Sequence, residues 1–152
     1  KDKVCFLAAA TQGIGLAMAE RMAKEGGIVI ICSRTKANVD EALTKLKDYK
    51  VEGYVCHVQK SEERLKLIKI IKDKYGRIDV LVCNQAVQVT IGMQLPMEED
   101  AFDKMMALNT KSIFFMIKEC KELLKNSKQD PNILVISSAS AKKPLIFFGV
   151  YA

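Results

Sequence analysis

Val4-Cys5-Phe6-Leu7-Ala8-Ala9-Ala10-Thr11-Gln12-Gly13-Ile14-Gly15-Leu16-Ala17-Met18-Ala19-Glu20-Arg21-Met22-Ala23-Lys24 decides how this chain is read. The apolar run from Val4 to Leu7 reads as a buried strand, the small residues after it as a tight turn, and Leu16 to Lys24 as a helix. Strand, small-residue turn, helix is the setting in which a backbone can approach a pyrophosphate. Helix N–H groups and the helix dipole then face the negative charge. Gly13 and Gly15 permit the turn and the close approach, and Ala9 stands where a first glycine is usual. A glycine turn is common on its own, so the rest of the chain has to support it.

Working outward, four of the five cysteines (5, 32, 56 and 83, with the fifth at 120) recur at intervals of 27, 24 and 27 residues. Each sits in a short apolar run followed by a polar helical pattern, which is the period of a βα unit. Strands are predicted over Lys3–Ala8, Ile28–Cys32, Gly53–Val58, Val80–Cys83 and Ile133–Ser137. Helices are predicted over Ile14–Glu25, Asn38–Tyr49, Glu62–Tyr75, and in one long, interrupted stretch over Glu99–Leu124. Near-continuous apolar strands alternating with helices predict an α/β fold: a parallel sheet covered on both faces. Right-handed crossovers make it a doubly wound Rossmann sheet of order 3-2-1-4-5, here one dinucleotide-binding domain over residues 1–152.

With 49% hydrophobic and 28% charged residues, the chain has the material for one core. It contains no apolar run long enough to span a bilayer. The net charge of +6 is spread over helix faces at Lys66, Lys69, Lys72, Lys74, Lys118, Lys121 and Lys125, often beside Glu or Asp. That pattern reads as solvated helix surface and argues against nucleic acid, as does the absence of tryptophan. The same field favours an anionic small molecule. The cysteines form no C-x-x-C pair, so zinc and thioredoxin-type chemistry fail on spacing, and free thiols in apolar runs imply a reducing, intracellular compartment, cytoplasmic or organellar.

Ligands of such sheets bind beyond the carboxyl ends of the strands. Strand 2 ends in Ser33-Arg34-Thr35, where an NAD-preferring fold carries an acidic residue for the ribose 2′-OH. A guanidinium pairs bidentately with a 2′-phosphate that a carboxylate would repel, so NADP(H) is expected over NAD(H). Strand 3 ends in His57-Val58, with the single histidine. No partners stand at metal-ligand spacing, so His57 either lines an adenine pocket or bonds a neighbouring loop. Strand 4 ends in Asn84-Gln85-Ala86, short enough for a backbone to pass close to a ribose. Strand 5 runs into Ser137-Ser138-Ala139-Ser140, and Tyr151 follows thirteen residues after Ser138. Gly-x-Ser-x-Gly and a Ser–His–Asp set are missing, which removes the hydrolase reading.

Aligned in this way, the whole chain resembles the short-chain dehydrogenase/reductase family. The family's Thr-Gly-x-x-x-Gly-x-Gly resembles the residues from Ala8 to Gly15, its Asn-Asn-Ala-Gly falls on Cys83 to Ala86, its mid-helix Asn on Asn109, and its Ser–Tyr pair on Ser138 and Tyr151. The stretches from Thr11 to Gly15, Cys56 to Val58 and Asn84 to Val87 are similar to the branch known as member 4, NADPH-dependent carbonyl and retinal reductases. Departures are Ala8 for a threonine, Ala9 for a glycine and Gln85 for a small residue. The lysine of Tyr-x-x-x-Lys would fall three residues past Ala152, so the resemblance implies that the C-terminal part of the family domain is absent and that this piece alone is inactive.

The resemblance implies hydride transfer to a carbonyl substrate, with Asn109, Ser138 and Tyr151 catalytic. Tyr151 would give the carbonyl oxygen a proton, Ser138 would orient that oxygen, and Asn109 would hold a relay water. A free tyrosine ionises near pH 10, so a cation beside it is expected. Cofactor contacts are expected from Ala9, Thr11, Gln12, Gly13, Ile14, Gly15, Ser33, Arg34, Thr35, His57, Val58, Asn84, Gln85, Ala86 and Tyr151. The apolar pattern Met105, Met106, Ile113, Phe114, Met116, Ile117, Cys120, Leu123, Leu124 exceeds one sheet contact and predicts a homo-oligomer, as is usual in the family. The competing expectation is a non-catalytic dinucleotide-binding protein, which Ala9 and Gln85 favour.

Overall fold

The apolar runs form five parallel strands in the order β3-β2-β1-β4-β5: β1 (Val4–Ala8), β2 (Ile28–Ser33), β3 (Val51–Val55), β4 (Val80–Cys83) and β5 (Asn132–Val135). The computed structural model describes residues 1–89, 92, 95–143 and 146–151. Among these residues, five α-helices accompany the strands: α1 (Gly13–Lys24), α2 (Lys36–Lys45), α3 (Ser61–Tyr75), α4 (Glu99–Met106) and α5 (Ser112–Lys125). The doubly wound order expected from the pattern is the one observed.

Alternation along β1 explains the two layers. Val4, Phe6 and Ala8 face one core with Leu67, Ile68 and Ile71 of α3 and Met116, Cys120, Leu123 and Leu124 of α5. Cys5 and Leu7 face the other, with Ala19 and Ala23 of α1 and Ala42 of α2. Small alanines on α1 and α2 let those helices lie close to the sheet, whereas α3 and α5 bring larger side chains. Phe6 and Leu7 are fully buried, each worth roughly 2–3 kcal/mol by area.

Three expectations change at the edges. β3 begins at Val51, which pairs with Val29, and ends at Val55, so Cys56 to Val58 form the exit loop. Only Cys56 N–H still reaches the ladder, donating to the Ser33 carbonyl at 2.8 Å. α2 stops at Lys45 rather than Tyr49. β5 is exposed along its length, with Ile133, Leu134 and Val135 near half exposure, so the sheet is covered on both faces only over its centre.

The long helix is interrupted as expected, by a π-helical turn at Ala107–Lys111 between α4 and α5. Asn109 lies in it. All five cysteines are buried free thiols. No helix among the described residues is long and apolar enough to cross a membrane.

Candidate functional site

The site begins where β1 gives way to α1. Ala9 takes φ +54°, the left-handed region that costs an alanine about 1–2 kcal/mol. Gly13, at φ +51°, has nothing within 4 Å of where a Cβ would stand, whereas a Cβ on Gly15 would lie 2.7 Å from Ala10 Cα and from Asn84 Nδ2. Gly13 therefore leaves open space above the turn, and Gly15 closes the packing beneath it. Asn84, at the end of β4, donates to the Ala9 carbonyl at 2.8 Å and fixes the strained turn from below.

No side chain caps α1 at Gln12, and no acidic residue occupies the first turn of α1 or α2. By contrast, α3 and α4 carry Glu62, Glu63 and Glu99, Asp100 at their own N-termini. The unsatisfied N–H groups and positive dipole ends of α1 and α2 are thus left for an outside anion.

Those two helix ends open onto a cavity of about 290 Å³ at the carboxyl ends of the strands. Ala9, Thr11 and Gln12 line it from the turn, Ser33 and Arg34 from β2, His57 and Val58 from the β3 exit, and Gln85 and Ala86 from the β4 exit. Asn38, Cys56, Gln59, Val87, Lys104 and Leu108 complete the wall. Arg34 and Lys104 are cations, and no carboxylate stands among the described residues that line the cavity. Arg34 makes no hydrogen bond or ion pair with the described residues and is exposed at the rim.

The β3 exit loop is held by side chains of α3. Glu63 accepts from the His57 N–H at 2.7 Å, and this bond, with Lys60 beside it, holds the Glu63 carboxyl below the ordinary value. Arg64 is buried and donates to the Val58 carbonyl at 2.7 Å while pairing bidentately with Glu119 of α5 at 2.8 Å. His57 Nδ1 is buried without a partner. The neighbouring Cys56 and full burial push the Cys32 thiol well up from its ordinary value.

A second cavity, of about 120 Å³, is walled by Asn109, Ser138 and Tyr151 together with Ile113, Val135, Ile136, Ser137 and Ala141. Gln85 and Ala86 line this cavity as well as the larger one. The Asn109 amide clamps the backbone of Val87, accepting from its N–H at 2.8 Å and donating to its carbonyl at 2.9 Å. Ser138 Oγ accepts from the Ser140 N–H at 3.2 Å, which leaves its own proton free to donate. Tyr151 packs edge-on against Phe148, with ring centroids 6.2 Å apart.

Of the residues expected to touch a cofactor, Ala9, Thr11, Gln12, Ser33, Arg34, His57, Val58, Gln85 and Ala86 line the larger cavity. Gly13, Gly15 and Asn84 shape the turn, Thr35 is the exposed N-cap of α2, and Ile14 lies 67% exposed on α1. Lys104 was not anticipated, because it comes from a helix rather than a strand end. An elongated polyanion suits this wall, which among the described residues has two free helix N-termini, two cations and no opposing carboxylate.

The model of the family described as short chain dehydrogenase matches residues 3–152. The chain is 38% identical to tropinone reductase-like 3 of Erythroxylum coca, over 99% of this chain and 58% of that protein. It is 34% identical to dehydrogenase/reductase SDR family member 4 of Homo sapiens, over 99% of this chain and 54% of that protein. Among solved structures, an actinorhodin polyketide ketoreductase variant with NADPH superposes with a TM-score of 0.87 at 26% identity, covering 99% of this chain and 58% of that one. The chain thus spans somewhat more than half the length of these relatives.

Proposed function

The chain belongs to the short-chain dehydrogenase family, and from that premise we propose that the protein is an NADP(H)-dependent carbonyl reductase acting on a ketone, aldehyde, dicarbonyl or retinal-like substrate, reversibly with the alcohol. One observation carries this reading. Asn109, Ser138 and Tyr151 wall a cavity that shares Gln85 and Ala86 with a larger, cationic cavity built on the β1–α1 turn. The reductase names of relatives and the ketoreductase solved with NADPH support the substrate class and cofactor.

The turn at Ala9 and Thr11 and the α1 N-terminus would hold the pyrophosphate, Arg34 and Ser33 the 2′-phosphate, and His57 and Val58 the adenine. When bound, the reduced nicotinamide supplies hydride to the carbonyl carbon. Tyr151 holds a proton at its Oη and passes it to the carbonyl oxygen as that oxygen gains charge. Ser138, whose hydroxyl proton is free, donates to the same oxygen and orients it. Asn109 positions the loop after β4 by its two bonds to Val87.

In the complete protein, Tyr151→Phe is expected to lower NADPH-driven carbonyl reduction by about 10³-fold with NADPH affinity within about twofold of wild type. Ser138→Ala should lower turnover by about 10²-fold. Full turnover in Tyr151→Phe would overturn the assignment. A wild-type protein that binds NADPH and reduces no carbonyl would support the non-catalytic reading, which Ala9 and Gln85 favour.

A further inference from the structure

The loop between β3 and α3 is held by two neighbouring side chains of opposite charge, Glu63 and Arg64 near the start of α3. Glu63 accepts from the His57 N–H at 2.7 Å, and Arg64 donates to the Val58 carbonyl at 2.7 Å. Two backbone bonds add to the hold: the Lys60 N–H donates to the His57 carbonyl at 2.8 Å, and the Cys56 N–H to the Ser33 carbonyl at 2.8 Å. The second ties the loop to the end of β2, next to Arg34 in the chain. His57 and Val58 line the larger cavity together with Ser33 and Arg34, and neither is among the described residues that line the cavity of Ser138 and Tyr151. Stability does not account for Arg64. Its side chain is 4% exposed and that of Glu119 on α5 is 11%, with two bonds of 2.8 Å between them. A pair so buried loses in desolvation about what it gains in attraction, and apolar residues of similar volume serve a fold as well or better. An apolar residue has nothing to donate to the Val58 carbonyl, however, and that is where the remaining bond of the guanidinium goes. Glu119 orients the fork, and the fork fixes one peptide of the cavity wall.

Resting on the dinucleotide reading above, we propose that Glu63 and Arg64 are positioning residues for the adenosine half of the dinucleotide, holding His57 and Val58 in place before the ligand arrives. Neither Glu63 nor Arg64 lines a cavity, so both act through the loop and not by touching the ligand. A loop ordered in advance spares binding the entropy of ordering it. The pair therefore acts on affinity for the adenosine half and leaves the hydride step alone.

The test titrates the complete protein with two probes: 2′,5′-ADP, which carries the adenosine half alone, and NADPH. Glu63→Ala is expected to weaken both by about tenfold. Glu63→Gln, whose amide oxygen can still accept from the His57 N–H, should stay within about twofold of wild type. Both substitutions remove the same charge, so the gap between them reads the hydrogen bond. Arg64→Met with Glu119→Met keeps the interior filled and is expected to weaken both probes by about tenfold, with kcat at saturating NADPH within about twofold of wild type. The Glu63 side chain is 30% exposed, so its two variants decide the matter should the double variant not fold. Equal affinities in Glu63→Ala and Glu63→Gln overturn the proposal. So does a folded double variant that binds 2′,5′-ADP as wild type does, or a loss confined to NADPH. Wild-type protein that binds neither probe would remove the dinucleotide reading and this proposal with it, a result distinct from the others because no variant is needed to see it.

Discussion

Arg34 stands exposed at the rim of the cationic cavity, unpaired among the described residues, one place past the end of β2. Its fork can bind a phosphate through two bonds, and no carboxylate among the described residues of the wall competes for it. The expected outcome is tighter binding of NADPH than NADH by the complete protein, with Arg34→Asp reversing the order. Equal affinities in the unmodified protein, measured by titration of both cofactors, would count against it. This residue was legible because its significance depends on place in the chain, about 20 residues past the glycines. Lys104 was not, because its approach to the cavity is set by how α4 packs. Ala9 was visible as a departure from glycine, but its left-handed backbone was not, since sequence records the extra methyl and not the angle that makes it costly.

At the scale of elements, the buried Arg64–Glu119 pair joins α3 to α5 and reaches the cavity through the Val58 carbonyl. Removing one partner strands a buried charge, which is far more destabilising than exchanging both for apolar groups. Glu119→Ala should cost about 3 kcal/mol in chemical denaturation, and Arg64→Met with Glu119→Met together should restore most of that loss. A single variant as stable as wild type would show the pair to be dispensable. The strands themselves were readable from apolar runs at βα spacing, and their order from handedness alone. The ends of β3 were not, because Val51 is drawn into the sheet by pairing with Val29, a contact distant in sequence. Nor was the exposure of β5, whose residues are as apolar as those of the covered strands. The cluster of Asn109, Ser138 and Tyr151 was legible only through the family resemblance; nothing in their separate spacing brings them into one cavity.

For the whole molecule, two behaviours follow from buried and exposed surface. Asp79 lies between β1 and β4; burial alone would raise its carboxyl, but bonds from Ser127, the Val4 N–H and Arg77 outweigh burial and hold it below the ordinary value. A carboxyl lowered by folding adds stability above its unfolded pKa, near 4, and loses it as pH falls through the folded value. Stability measured by denaturant should therefore decline on acidification below about pH 4–5, and Asp79→Asn should be less stable at neutral pH with a shallower acid loss. Parallel acid profiles for the two proteins would refute this. The apolar helix stripe that suggested assembly is mostly core: Met105, Met116, Cys120, Leu123 and Leu124 are buried and Ile113 and Ile117 half-buried, which leaves Met106 and Phe114 exposed, with Phe102 of α4, outside that stripe, exposed as well. We still propose a homo-oligomer, on that smaller patch; sedimentation of the complete protein should give more than a monomer at micromolar concentration, and Phe114→Glu should shift it towards monomer. The π-helical turn, finally, sets a phase. From Glu99 to Lys125 the backbone stays helical, but the wide turn delays one half against the other. An α-helix advances about 100° per residue, so the wide turn takes up one residue more than an α-turn would while the flanking helices keep their faces. Deleting a single residue there is therefore expected to leave the buried faces of α4 and α5 in phase and to fall instead on Asn109, whose hold on the Val87 backbone depends on its place in the turn.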